Sequence, residues 1–405
     1  MMLLEGYSQK TVLLLQGPVG PYFRRLAREL GAAGARVIKV NFNGGDVLFY
    51  RRGLRYRGKL ADIPGFVAKL IERERVDILM LCGDCRPVHA GMAGLAQRLR
   101  IELKVFEEGY LRPDFITCES MGVNGHSSVP RDPCAYRQEP HAMEADIRPV
   151  GRTYWHMVLW TLLYYMACHM AWPLFPKYVH HRTLSPLEGL RWCRGVWRKW
   201  YYRCVGCGVQ TDLCLNHSQR FYVVPLQVHN DAQVRAHSPF ETVERFIDEV
   251  IESFARHAPL GTLLVLKHHP MDRAYRDFRG QIRRLANRHG IAARVRYIHD
   301  QHLPTLYKHA RGAVVINSTA GLTAVHRGVP TKVMGDAIFD MPGLTWQGPL
   351  DTFWGAQEAA AVDRDLYLRF RGYLIRTCQI NTSFYRGGLP SVCRSPERAV
   401  AVIEI

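Results

Sequence analysis

Thr262 to Asp272 reads TLLVLKHHPMD, and these eleven residues set the fold class. Thr262 to Leu266 is an apolar run of strand length, and Lys267, His268, His269 and Pro270 follow it without a break. Such a run predicts a buried parallel strand that delivers a cation and two imidazoles to its carboxyl end, where open α/β sheets bind ligands. Pro270 stops the strand and shapes the turn. The chemistry expected there is the binding of the phosphate of an activated donor.

The sequence on either side supports that strand. FYVVPLQV is a strand that runs into the polar loop His229-Asn230-Asp231-Ala232-Gln233. Ser238, Pro239 and Glu241 have the spacing of a capping box and predict a helix from Pro239 to about His257. Tyr275 to His289 reads as a basic helix, VRYIH as a strand, LPTLYKHA as a helix, AVVIN as a strand and Pro330 to Met334 as another. AVVIN opens into Asn317-Ser318-Thr319 ahead of a helix. Hydroxylated residues at a helix N-terminus suit a phosphate, and equally a plain N-cap. The strand order puts this loop and the KHHP turn at the carboxyl edge of one sheet.

The first half alternates in the same way. TVLLLQGP, ARVIKVNF, VDILMLCGD and IELKVF read as strands separated by helical periods at Tyr22 to Leu30, Phe66 to Arg73 and His89 to Arg100. This pattern predicts a parallel sheet with helices on both faces. Residues 1–150 are thus expected to form one Rossmann-like domain and residues 219–405 a second, with C-terminal helices. Gly17-Pro18-Val19-Gly20 is either a tight βα turn or a ligand contact at a helix N-terminus. Glu107 and Glu108 close a strand ahead of Gly109. They are either a solvated pair with Arg112 as counterion, or a pair whose mutual repulsion raises one pKa towards acid/base use.

A chain of 405 residues with 47 % hydrophobic residues holds two cores. Lys plus Arg number 54 against 36 for Asp plus Glu, a net charge of +18 that attracts anions without choosing among nucleic acid, phospholipid and nucleotide donors. Thr11 to Leu15 is too short for a signal peptide and reads as a first strand. The eleven cysteines, scattered and without a secretion signal, suit a reducing compartment.

Residues 151–218 are expected to form an apolar and basic helical segment. Thr153 to Phe175 carries no Lys, Arg, Asp or Glu, and Arg182 to Arg203 is basic and rich in Trp and Tyr. Three readings remain open: docking on a membrane surface, a buried helix with a basic linker, and a single span. No RNA- or DNA-binding pattern accompanies the charge, so nucleic acid is not an expected partner. Cys204, Cys207, Cys214 and His217 have only partial zinc spacing, and no metal is expected.

Two Rossmann-like domains facing across a cleft, with the donor site in the second, resemble the GT-B glycosyltransferases. The Glu107-Glu108-Gly109, His269-Pro270 and Ser318-Thr319 motifs are similar to those of bacterial CMP-sugar transferases. VLLLQGPVGPYF, KVFEEGYLRPDF, PLQVHNDAQV, LKHHPMD and INSTAGLTAVHRGVP together resemble the capsule polysaccharide biosynthesis and export family, in particular its KpsS-like β-Kdo transferases and the related KpsC modules. The resemblance implies a retaining transferase that moves β-Kdo from CMP-β-Kdo, without a cofactor, to a phosphatidylglycerol-type anionic phospholipid. It also implies a protein peripheral on the inner face of the bacterial cytoplasmic membrane, working beside other capsule assembly and export proteins. A non-catalytic export component that binds acidic polysaccharide or lipid is the alternative. On the resemblance, Asp231 is the expected nucleophile, Glu107 or Glu108 activates the acceptor, and His269 stabilises the leaving group. Gly17, Gln227, Gln233, Lys267, His268, Pro270, Asn317, Ser318 and Thr319 are the expected substrate-binding residues.

Overall fold

The computed structural model describes residues 5–141, 147–178 and 188–386. These contain twelve strands: β1 Thr11–Leu14, β2 Arg36–Asn41, β3 Leu54–Arg55, β4 Ile78–Cys82, β5 Glu102–Glu108, β6 Ile116–Ser120, β7 Phe221–Pro225, β8 Leu263–Lys267, β9 Val295–Ile298, β10 Gly312–Val315, β11 Thr331–Val333 and β12 Gln379–Ile380. They make two sheets, one in the order β12-β6-β5-β4-β1-β2-β3 and the other in the order β11-β10-β7-β8-β9. The second sheet is parallel throughout, whereas the first becomes antiparallel at β5–β6 and β6–β12.

Both sheets bury both faces, which is why their strands read as continuous apolar runs. Leu13, Leu79, Leu81 and Val105 enter one core, while Val12, Leu14, Met80 and Phe106 enter the core on the opposite face. In the second sheet Tyr222, Val224, Leu264 and Leu266 face one way and Phe221, Val223, Leu263 and Val265 the other. The period of two along a strand sorts alternate residues in this manner. The expectation of two Rossmann-like α/β units, the make-up of the GT-B class, is met.

The division of the chain differs from the expected one. One compact unit takes 5–128, 147–178 and 372–386, and the other takes 129–141 and 188–371. The segment expected over 151–218 is therefore not one element. Its apolar part is the helix Tyr154–Met170, packed within the first unit, and its basic part is the helix Glu188–Val205, in the second. Arg182, the start of the basic stretch, falls outside the described residues.

No helix among the described residues is long and apolar enough to cross a membrane. The apolar helix has 17 residues, short of the roughly 20 a span needs. It is held against the first unit by two glycines. A Cβ on Gly44 would lie 2.1 Å from the Ala167 carbonyl oxygen, and one on Gly45 would lie 2.4 Å from the Tyr164 ring. Tyr164 and Cys168 are buried by this contact, while Trp155 and Met170 on the same helix are 75 % and 76 % exposed.

The capping box is also corrected. The helix begins at Val243, with Thr242 as N-cap accepting from the Arg245 amide, whereas Ser238 donates to the Val234 carbonyl at 2.6 Å. The side chain of Ser238 thus closes the preceding short helix.

Candidate active site

The register of the second sheet brings three strand ends level: Pro225 pairs with Lys267, and Lys267 with Ile298. The loops that follow β7, β8, β9 and β10 therefore emerge together at the carboxyl edge. Gln227, buried just past β7, is the hub. Its Nε2 donates to Asp231 Oδ2 at 3.2 Å and to Asn317 Oδ1 at 3.0 Å, and its Oε1 accepts from the Asn317 amide at 3.3 Å. Asn317 in turn donates through Nδ2 to the carbonyls of Gln233 and His237, both at 3.0 Å. Asp231 caps the short helix Ala232–Ala236 by accepting from the Gln233 amide. Four residues expected at the site, Asp231, Gln227, Gln233 and Asn317, thus form one network across β7 and β10. Ser318 caps the helix Thr319–His326 by accepting from the Ala320 amide at 3.2 Å, so the N-cap reading of this loop holds, and the free end of that helix lies beside Asn317.

The KHHP turn divides by depth. Lys267 and His268 are buried, His269 is half-buried and Pro270 is exposed. Lys267 Nζ donates to the His299 carbonyl at 3.1 Å, and burial, partly offset by Asp300, lowers its pKa to about 8. His268 shares a hydrogen bond between Nδ1 and the Tyr297 hydroxyl at 2.6 Å, and burial lowers its pKa to about 4. Both were expected to bind substrate, and both lie beneath the surface of the turn. His269 accepts from the Met271 amide through Nδ1 and is the imidazole set at the surface of the turn.

Asp272 and His229 were not anticipated. Asp272, fully buried, accepts from the His229 amide at 2.8 Å and also engages His229 Nδ1. It fastens the loop carrying Asp231 to the turn carrying His269. The polar composition of both stretches was visible, but nothing in their spacing pairs positions so far apart. Cys204, Cys207, Cys214 and His217 do not come together as a metal-binding group among the described residues, and His217 lies 3.7 Å from Asp212.

In the first unit the carboxyl edge carries Glu107 and Glu108 at the end of β5. Consecutive strand residues project to opposite sides, and the two carboxylates have different partners. Glu107 Oε1 accepts from the Glu108 amide at 3.0 Å. Its other oxygen leans over Gly83, where a Cβ would lie 3.4 Å from Glu107 Oε2 and 3.0 Å from Arg86 Nε. Glu108 accepts from the Tyr385 hydroxyl at 2.8 Å. Burial is the main cause that raises the Glu107 pKa. The charge of Glu108 adds to it, while the Glu108 amide and Arg86 oppose it. The expected rise in pKa is present for Glu107, yet its first cause is desolvation, with repulsion a minor contributor.

Gly17 is explained by packing. A Cβ there would meet the Phe23 ring at 2.8 Å, and its carbonyl accepts from Arg86 Nη1 at 2.9 Å. Behind it, Gln16 Nε2 donates to the Tyr178 hydroxyl at 3.0 Å, and Asn43 Nδ2 donates to the Tyr164 hydroxyl at 2.7 Å. The second bond, with a longer one from Gln16 Nε2 to the same Tyr164 hydroxyl at 3.4 Å, ties these loops to the apolar helix.

The family described as "Capsule polysaccharide biosynthesis protein" matches residues 77–385. The chain is 41 % identical over 384 residues to "Capsule polysaccharide export protein KpsS" of Escherichia coli, covering 93 % of this chain and 97 % of that protein. It is 35 % identical over 388 residues to "Capsule polysaccharide modification protein LipB" of Neisseria meningitidis serogroup B, covering 93 % and 92 %. Among solved structures it resembles the β-Kdo 2,7-transferase KpsC of Thermosulfurimonas dismutans, at 15 % identity, 93 % and 95 % coverage and a TM-score of 0.44, a likeness too distant to carry function.

Proposed function

The chain belongs to the capsule polysaccharide biosynthesis protein family, and on that premise we propose that it is a retaining glycosyltransferase that moves β-Kdo from CMP-β-Kdo to a phosphatidylglycerol-type lipid, initiating the poly-Kdo linker of a capsular polysaccharide. The observation that carries this reading is the Asp231–Gln227–Asn317 network beside the KHHP turn. It offers a half-buried, oriented carboxylate next to a helix N-terminus that suits a phosphate.

In the first displacement an Asp231 oxygen attacks the anomeric carbon while the bond from that carbon to the CMP phosphate oxygen breaks. The leaving phosphate takes the electron pair and is met by His269, Ser318, Thr319 and the amides of their helix, with the Lys267 charge beneath. In the second, an acceptor hydroxyl attacks the same carbon and displaces Asp231, and two inversions return the β configuration. Glu107 takes the hydroxyl proton, because burial raises its affinity for one.

Each unit separately carries exposed side chains that suit a lipid acceptor: the helix Tyr154–Met170 in the first, and Trp197 and Trp200 beside Arg194, Lys199 and Arg203 in the second. We place the protein on the inner face of the cytoplasmic membrane, with other capsule assembly and export proteins as partners and no nucleic acid. The name of the Escherichia coli relative, an export protein, favours the second reading, a non-catalytic carrier of acidic polysaccharide or lipid. Incubation with CMP-Kdo and a phosphatidylglycerol analogue separates the two: CMP release coupled to a glycosylated lipid supports the transferase, and binding without CMP release supports the carrier.

A further inference from the structure

Residues 378–385 return to the first unit at the end of the described chain, where a series of anchors fixes them and the last residue reaches Glu108. The Cys118 amide donates to the Cys378 carbonyl at 2.9 Å, and Gln379 Nε2 donates to Thr117 Oγ1 at 2.9 Å. Asn381 Nδ2 donates to the Asp114 carbonyl at 2.8 Å. Arg25 donates to the Phe384 carbonyl at 3.0 Å, and the Phe384 ring stands edge-on to Tyr22 at 5.0 Å. Trp160 Nε1 then donates to the carbonyl of Tyr385 itself at 3.0 Å. The backbone of Tyr385 is thereby fixed from the helix Tyr154–Met170, and its hydroxyl donates to Glu108 Oε1 at 2.8 Å.

We propose that Tyr385 is a positioning residue for transfer: it holds the Glu108 carboxylate on its own side of β5, so that Glu107 alone, beside Arg86, is presented to the acceptor hydroxyl. This rests on the reading that the glutamate pair activates the acceptor. The physical reason is that two adjacent carboxylates at a strand end compete for the same counterion, and a hydroxyl bound to one removes it from the competition. Burial pushes the Tyr385 phenol far above its usual range, so it remains a donor throughout the working pH. Loss of the hydroxyl leaves Glu108 free to turn towards Arg86 and displace Glu107 from it.

The test uses the full-length protein with CMP-Kdo and a phosphatidylglycerol analogue, measuring kcat and KM for wild type, Y385F, E108Q, E107Q and the double variant Y385F/E108Q. Y385F is expected to lower kcat by about 10- to 100-fold, the range of a small misplacement of reacting groups, with the KM for CMP-Kdo unchanged. E108Q removes the competing charge, so adding Y385F to it is expected to cost less than about 3-fold more, a non-additivity that a loss of general stability does not produce. Should Y385F fail to fold, Y385M carries the test: it fills much of the site with no hydrogen-bond donor and is expected to show the same kcat loss and the same suppression by E108Q. An unchanged kcat in Y385F, or a full multiplicative loss in the double variant while E107Q is inactive, overturns the inference and leaves the proposed function standing. A fully active E107Q overturns the reading of the glutamate pair instead.

Discussion

Asp231 and His269 have separable tasks, and single substitutions distinguish them. D231N keeps the size of the side chain and removes the nucleophile, at the cost of one of the two hydrogen bonds that Asp231 accepts. It is expected to lower transfer by roughly 10³-fold or more while CMP binding, followed by calorimetry, stays within about 3-fold of wild type. H269A is expected to weaken CMP binding itself, and the opposite pattern contradicts the assignment. Glu107 makes a pH prediction. Its pKa is raised above the ordinary carboxylate value, chiefly by burial, and a base acts only when ionised. The acid limb of kcat/KM should therefore lie above the usual carboxylate range, and R86M, by removing an opposing positive charge, should move it higher still. Lys267 makes a stability prediction. Burial depresses its folded pKa to about 8, below the ordinary lysine value of about 10.5, so the fold favours the neutral amine. The associated stability is present above the unfolded pKa, is lost as pH falls from about 10.5 to about 8, and is absent at pH 7. K267M is expected to raise stability at pH 7 by on the order of 1–3 kcal/mol in denaturant titration while weakening donor binding. Glu107 could be singled out in the sequence because acids at a strand end are a recognisable type, and Asp231 only through the family resemblance. Asp272, Arg86 and Tyr385 could not, because their contacts depend on which strands lie side by side.

The helix Tyr154–Met170 shows what an element can hide. Its sequence is apolar all round, so periodicity offers no buried face, and the docked side is decided by Gly44 and Gly45 more than a hundred positions earlier. G44A should therefore strike the helix, not the loop in which it sits. A Cβ 2.1 Å from the Ala167 carbonyl oxygen forces the backbones apart, at a cost of about 1–3 kcal/mol in unfolding free energy. The capping box failed for a related reason. Ser238 had the correct spacing to start a helix, but the nearer Val234 carbonyl took its hydroxyl, leaving Thr242 to cap. The exposed Trp and Arg side chains of the basic helix predict that the protein floats with phosphatidylglycerol vesicles at low salt and is released at high salt. W197A/W200A should lose flotation at low salt as well, and retention of that variant at low salt would contradict the proposed docking.

For the whole molecule, the alternation of strand and helix was enough to predict two parallel α/β units, because the central strands β1, β4, β7, β8 and β10 are buried throughout and so read as unbroken apolar runs. The antiparallel edge formed by β6 and β12 was not foreseen, since β12 is only two residues long and has no pattern of its own. Nor was the return of 372–386 to the first unit: it depends on the helix Arg364–Thr377 carrying the chain back, a tertiary fact with no local signature. That return places Tyr385 on Glu108, so a truncation before residue 378 is expected to impair transfer more than donor binding. The central claim is β-Kdo transfer to lipid, and the most direct measurement is a mass spectrum of the lipid after incubation with CMP-Kdo and a phosphatidylglycerol analogue. The predicted result is a lipid heavier by one Kdo residue, formed by wild type and absent with D231N; an unmodified lipid with wild type, under conditions where CMP-Kdo is bound, would contradict the account.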